Sequence, residues 1–146
     1  MAHTCREFPV PPAAVWDLLI DPYTYPEWLV GTAEIRDVDD DWPAVGSRFR
    51  HRVGIGPLTI PDHSEVLHIE PRRELRLAVR ARPFVSAVAT FRLVGDRTVS
   101  MLSLQEEPTV RTVGNLVRPV IDPSIHLRNH RSLRRLGDLI ERNRAG

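Results

Sequence analysis

The chain has 146 residues, of which 42% are hydrophobic and 27% charged, and its formal net charge is +1 at pH 7. This length fits a single domain over residues 1–146 with a sizeable core. The hydrophobic and charged fractions are ordinary for a soluble globular protein. All 20 basic residues are arginine, which excludes Schiff-base and lysine-nucleophile chemistry. The single cysteine, Cys5, excludes an internal disulfide, and no apolar run approaches the roughly 20 residues of a membrane-spanning helix. We therefore expect a cytoplasmic protein without stable membrane anchoring.

The first part of the chain predicts one strand followed by two short helices. The strand candidate runs from His3 to Val10 and ends at a run of prolines. Pro12 suits the first turn of a helix, because its missing backbone donor costs nothing there. Asp21 and Pro22 are typical of the cap and first position of a second short helix, which runs through Trp28.

The middle of the chain alternates with a period of two residues, which predicts antiparallel strands joined by tight turns. Phe49, His51 and Val53 share one face of a strand, and arginines occupy its other face. Gly95-Asp96 predicts a hairpin turn. After the first strand, the expected strands cover residues 33–39, 47–55, 58–69, 74–82, 84–94 and 97–107.

The last third predicts one long helix from Pro108 to Arg144. Pro119 and Pro123 lie inside it and predict a kink or a short break, because each removes a backbone donor. Apolar residues recur near the helical period of 3.6, so this stripe must pack against the strands. The stripe comprises Val113, Leu116, Val117, Val120, Ile125, Leu133, Leu136, Leu139 and Ile140.

Three stretches carry a resemblance to a known family: residues 10–28, which hold both short helices, residues 45–49, and residues 118–136. The chain resembles the START-like superfamily (SRPBCC), also called the polyketide cyclase/dehydrase and lipid-transport superfamily. The resemblance implies an α+β helix-grip fold. In that fold a curved antiparallel sheet of six or seven strands wraps around a long C-terminal helix, and two short helices follow the first strand. It also implies a cavity between sheet and helix for a small hydrophobic ligand that is lipid-, polyketide- or aromatic-like. The alternative is a cyclase or dehydratase that uses the same cavity.

A curved sheet around a helix cannot be filled everywhere by residues as small as alanine, so we expect an internal cavity. His51 should face it, and Asp62 or Ser64 on the adjoining strand is the nearest plausible partner, unless Pro61 shifts the register by one residue. An inward histidine beside an aspartate can act as a general base, or the two can simply be hydrogen-bonded polar groups in an apolar pocket. The candidate catalytic residues are therefore His51 and Asp62. The predicted ligand-binding set is Trp28, Phe49, His51, Val53, Asp62, Ser64, Leu77, Val79, Met101, Ser103, Gln105, Leu116 and Val120.

Two short motifs have features of cofactor sites but lack what such sites need. His126 and His130 have metal-ligand spacing, yet Leu127 stands where zinc proteases have glutamate, and no third ligand is evident. Gly54 and Gly56 precede a proline and no helix, so they do not form a phosphate loop. We expect no metal and no cofactor.

The remaining hypotheses concern partners. Arginines on the strands are interspersed with Glu65, Glu70 and Glu74, and stacking aromatics are absent from these strands, so we expect no nucleic acid. The sequence leaves open whether the chain forms a homodimer. A further hypothesis is a partner-binding module that acts through an exposed Leu102 and Leu104.

Overall fold

The computed structural model describes residues 2–55, 57–81, 85–108 and 114–145. Within these ranges the chain forms seven strands and three α-helices, with a single 3-10 turn at Pro22–Thr24. The elements in chain order are β1 (Ala2–Phe8), α1 (Pro12–Leu19), α2 (Tyr25–Trp28), β2 (Thr32–Val38), β3 (Arg48–Ile55), β4 (Leu58–Glu70), β5 (Glu74–Ala81), β6 (Val85–Gly95), β7 (Ser100–Pro108) and α3 (Gly114–Ala145).

The seven strands form one antiparallel sheet in the order β1-β7-β6-β5-β4-β3-β2. Strands β2 to β6 each pair with the next strand along the chain. The first strand pairs with β7, so β1 and β2 form the two edges of the sheet. This is the predicted α+β architecture, with the two short helices between β1 and β2. The fold prediction is confirmed.

The long helix differs from its prediction at its start and in its continuity. The strand ladder of β7 continues to Pro108, which is paired with Ala87 of β6, so the helix does not begin there. It begins at Gly114 in the described chain and runs to Ala145. Of the predicted kink or short break at Pro119 and Pro123, the break is absent, since the helix is continuous through both positions, and the kink stays a prediction.

The C-terminal half of α3 packs on β1, and we call the part of the interior beside this contact the apolar end. It contains Phe8, Val15, Leu136 and Ile140, all buried. Gly137 permits the close approach, since a Cβ atom at this position would lie 3.3 Å from Arg6 Nε and 3.4 Å from Phe8 Cε1. The predicted stripe of Leu133, Leu136, Leu139 and Ile140 is buried as expected. In the described residues, no helix is both long and apolar enough to span a bilayer.

An aromatic cluster joins the short helices to the sheet. Tyr25 contacts Trp28 and Phe49 edge to face, with ring centroids 5.4 Å apart in both pairs. Burial, with the charge of Asp21 adding to it, raises the pKa of Tyr25. The hydroxyl therefore stays protonated and donates its hydrogen bond to the carbonyl oxygen of Leu19. This cluster fixes Phe49, and so the inward face of β3, against the helices.

Candidate functional site

A partly enclosed cavity of about 70 Å³ lies between the sheet and α3. Its apolar wall includes Leu29, Phe49, Leu77, Val79, Phe91 and Leu104. About 10–15 Å³ of such space holds one water, so the cavity has room for several waters. We call this part of the interior the cavity end.

His51 provides a polar group on the sheet side of the cavity and is 2% exposed. Its Nε2 lies 3.2 Å from Ser64 Oγ on the neighbouring strand β4. Its Nδ1 is buried and has no hydrogen-bond partner among the described residues. Burial lowers the pKa of His51, and the nearby Asp62 carboxylate opposes this shift only in part. The imidazole is therefore neutral near pH 7.

Asp62 stands directly opposite His51 in the β3–β4 register, so both side chains lie on the inward sheet face. Its carboxylate is fully buried and accepts a hydrogen bond of 2.9 Å from the backbone N–H of His63. Val66, two pairs along the same face, is buried as well. Pro61 therefore does not shift the register, and the predicted inward placement of Asp62 and Ser64 is correct.

Asn129 provides a polar group on the helix side, and sequence reasoning missed it. The residue is 2% exposed, and its Nδ2 has no hydrogen-bond partner in the described part of the chain. The next turn holds the loop before β2 in place, because the backbone N–H of Val30 donates a 3.0 Å hydrogen bond to Ser132 Oγ. The available signal was spacing, because Asn129 precedes Leu133 and Leu136 by four and seven residues.

An ion pair between β7 and α3 forms one part of the wall that reaches solvent. The buried Glu106 carboxylate accepts a hydrogen bond from the guanidinium of Arg128, which is partly exposed. Gly31 lies beside them, with a left-handed φ of +100°, and Arg128 Cδ would be 4.0 Å from a Cβ atom there. Sequence reasoning missed Glu106 too, although it alternates with Leu102 and Leu104.

The structure brings together five of the predicted ligand-binding residues: Phe49, His51, Ser64, Leu77 and Val79 all line the cavity. Asp62 is inward but lies outside the cavity wall. Trp28 is fully buried and packs against Tyr25 and Phe91, so it belongs to the core next to the cavity. The side chains of Val53, Leu116 and Val120 lie outside the described residues.

The prediction that Met101, Ser103 and Gln105 face inward is wrong. Met101 is 44% exposed, whereas Leu102 and Leu104 are 0% and 2% exposed. The β6–β7 register places Leu102 opposite Leu93 and Leu104 opposite Phe91, so the leucines take the core face of β7. The hypothesis of an exposed leucine surface for a partner fails for the same reason.

A second concavity of about 940 Å³ lies at the surface near the β4–β5 and β6–β7 turns, and it is open to solvent. Its acidic groups have partners, since Glu74 pairs with Arg92 at 2.8 Å and Asp96 accepts bonds from the backbone N–H groups of Thr98 and Val99. The cavity between the sheet and α3, with its unpartnered buried polar atoms, is therefore the better candidate site.

The two histidines with metal-ligand spacing do not form a metal site with other described residues. His126 and His130 are both exposed, and His126 Nδ1 lies 3.4 Å from Thr4 Oγ1. The described part of the chain contains no group of three or more His, Cys, Asp or Glu residues placed to hold a metal ion.

Comparisons with known proteins agree on the fold. A family model described as "Polyketide cyclase / dehydrase and lipid transport" matches residues 2–141. The Zhui aromatase/cyclase from a Streptomyces species is similar in structure, with a TM-score of 0.77, 16% identity, and coverage of 97% of this chain and 93% of that chain. A conserved protein from Geobacillus kaustophilus gives a TM-score of 0.76 and 17% identity, with coverage of 96% and 94%.

DynU16, a protein in the dynemicin biosynthetic locus, gives a TM-score of 0.65 at 18% identity. The structural match covers 96% of this chain and 46% of the longer DynU16 chain. A search of curated proteins finds no match.

Proposed function

Because the chain belongs to the polyketide cyclase/dehydrase and lipid transport family, we propose that it binds a small hydrophobic molecule in the cavity between the sheet and α3. Lipid-, polyketide- and aromatic-like molecules fit the family. One structural neighbour is an aromatase/cyclase and another is a protein of the dynemicin biosynthetic locus, and both support the aromatic or polyketide choice.

The unpartnered polar atoms at the cavity carry this proposal. His51 Nδ1 and Asn129 Nδ2 are buried without a hydrogen-bond partner among the described residues, and both residues line the same cavity. A buried polar group left without a partner costs about 1–3 kcal/mol. A ligand with polar atoms at two positions relieves this cost, and its apolar body contacts the surrounding wall.

The ligand has to open the wall to enter. The cavity measures about 70 Å³, whereas drug-sized ligands occupy pockets of roughly 300–1,000 Å³. The Arg128–Glu106 pair is a partly exposed part of this wall, and Arg128 is a long flexible side chain. Entry between Arg128 and Gly31 therefore needs side-chain movement and no change of the sheet.

Native mass spectrometry of freshly purified protein tests this proposal. We expect a co-purified small molecule, released on denaturation, and quenching of tryptophan fluorescence when naphthol is added to ligand-free protein. Ala89→Leu, which fills the cavity wall, should abolish both signals. Ala14→Leu adds the same volume at the apolar end and should keep them. A protein that carries no molecule and does not respond to naphthol would refute the proposal.

An enzyme of cyclase or dehydratase type is the second candidate. The observation in its favour is the neutral, buried His51 opposite the buried Asp62, an arrangement that suits a general base. Under this hypothesis, His51→Gln lowers the rate with an enolisable polyketide-like substrate by about 10²–10⁴-fold. A binding protein would instead lose about 0.5–1.5 kcal/mol of affinity, the value of one neutral hydrogen bond.

A further inference from the structure

The cavity wall places a hydroxyl group against a base. Ser64 Oγ lies 3.2 Å from His51 Nε2, which is within the reach required between a nucleophile and its general base. The two residues are 1% and 2% exposed, so bulk water is kept away from the pair. No other hydrogen bond of the Ser64 hydroxyl is present among the described residues.

The surroundings of His51 suit proton transfer from that hydroxyl. Burial lowers the pKa of His51, so the ring is neutral and free to accept a proton. Asp62 stands directly opposite with a fully buried carboxylate, and its charge favours the imidazolium once it forms. The backbone of the neighbouring His63 also favours the imidazolium, and the charge of the His63 ring opposes it by less.

Asn129 supplies a hydrogen-bond donor to the same space. Its Nδ2 is buried and unpartnered in the described chain, and it belongs to α3, whereas Ser64 and His51 belong to the sheet. A fixed amide donor in a water-excluded site stabilises the negative charge that develops on a carbonyl oxygen during acyl transfer.

We propose that this cavity hydrolyses carboxylic esters, with Ser64 as nucleophile, His51 as general base and Asn129 as donor to the carbonyl oxygen. The wall around these three groups is mainly apolar, which suits an ester whose acyl group is a hydrocarbon. The proposal rests on the proposed function, because the ester reaches Ser64 by entering the same cavity.

The reaction has two balanced halves. Ser64 Oγ attacks the ester carbonyl while its proton passes to His51 Nε2, and that proton then leaves with the departing alcohol as the acyl–Ser64 ester forms. In the second half, a water molecule gives a proton to His51 Nε2 and attacks the acyl group. The proton returns to Ser64 Oγ as the carboxylic acid is released, so the only co-reactant is water.

Hydrolysis of p-nitrophenyl acetate tests this proposal. The chain has no lysine, so background acetylation is confined to a few groups, and a Cys5→Ala background removes the exposed thiol. In that background we expect an acetyl adduct on Ser64, found by peptide mass spectrometry after acid quenching. Ser64→Ala should lower the hydrolysis rate by about 100-fold or more and remove the adduct. Ser103→Ala, on the outer face of β7, should leave both unchanged.

His51→Gln keeps the hydroxyl and removes the base, so it tests the mechanism even if Ser64→Ala fails to fold. We expect it to abolish acylation while circular dichroism shows a folded chain. No adduct on Ser64, or hydrolysis that persists in both variants, overturns the proposal. Co-purification of a ligand with folded Ser64→Ala protein would show that ligand binding stands, whatever the result for acyl transfer.

Discussion

The two ends of the interior differ in the chemistry of their buried side chains. At the apolar end, the hydrocarbon side chains of Phe8, Val15, Leu136 and Ile140 are buried. At the cavity end, the same helix and the same sheet meet at His51 and Asn129, both equally buried and both with an unpartnered nitrogen among the described residues. The buried side chains at the apolar end therefore stabilise the fold, whereas the two unpartnered polar groups at the cavity end lower its stability.

Both ends use one pattern of inward positions. Asn129, Leu133 and Leu136 lie on one face of α3, and Phe49 and His51 lie on one face of β3. The fold needs only that these positions be buried, because burial of apolar area is what holds sheet and helix together. Polar residues at two of them therefore indicate a function that the packing does not require.

Leu136→Ala should give the largest effect, since it leaves a void at the apolar end. We expect a loss of about 2–5 kcal/mol in the free energy of unfolding, measured by urea denaturation. Leu127→Ala on the exposed side of the same helix is the control and should change little. Equal effects of the two substitutions would contradict the described packing of α3.

Arg128→Met should have a smaller effect, at the cavity end. The substitution leaves the buried Glu106 carboxylate without its partner, and we expect a loss of about 1–3 kcal/mol. Arg131→Met, at an exposed position one turn along, is the matched control. Adding Glu106→Gln should recover much of the loss, because it removes the unpaired charge. A double variant as unstable as Arg128→Met alone would show that the pair is not coupled.

The pH dependence of stability should also separate the two ends. The folded-state pKa of His51 is lowered, chiefly by burial, so the unfolded chain binds a proton more readily than the folded one. Stability from this group is fully present above the unfolded pKa of about 6.5 and is lost as the pH falls through the folded pKa. We expect a lower free energy of unfolding at pH 5 than at pH 7.5. This difference should shrink in His51→Gln and persist in Leu136→Ala.

Two carboxylates affect the stability of the fold at a lower pH than His51 does. A hydrogen bond from the Arg50 side chain lowers the pKa of Asp39, and one from the backbone N–H of Thr98 lowers that of Asp96. Their contributions are present above the unfolded pKa of about 4 and are lost below it. A difference between pH 7.5 and 5 that His51→Gln leaves unchanged would contradict the assignment to His51.

The sequence predicted the fold because its periods are clear and its turns are short. The same pattern placed His51, Asp62 and Ser64 correctly, since Phe49 and Val66 mark the inward faces of β3 and β4. It failed on β7, where polar residues were assigned to a polar cavity although Leu102 and Leu104 compete for the core. Burial of apolar area decides such a choice.

Asn129 and Glu106 were missed for a related reason. Each is a polar residue at a position where the periodic pattern predicts an apolar one. Periodicity alone does not show whether such a polar residue is buried or lies at the surface. Contacts between elements distant in the chain decide that, such as the pairing of Arg128 on α3 with Glu106 on β7. Such contacts cannot be inferred from the spacing of residues along the chain.

Asn129→Leu tests most directly the claim that the cavity end holds polar groups for a ligand. In ligand-free protein, urea denaturation should show a free energy of unfolding that is unchanged or raised by up to about 1–3 kcal/mol, because an unpartnered buried amide is replaced by an apolar group of similar shape. Ser132→Ala is the matched control, and it should destabilise, because the buried Ser132 Oγ accepts a hydrogen bond from the backbone N–H of Val30. A loss of stability in Asn129→Leu as large as that in Ser132→Ala would contradict the account, since it would mean that the Asn129 amide already has its partner within the protein.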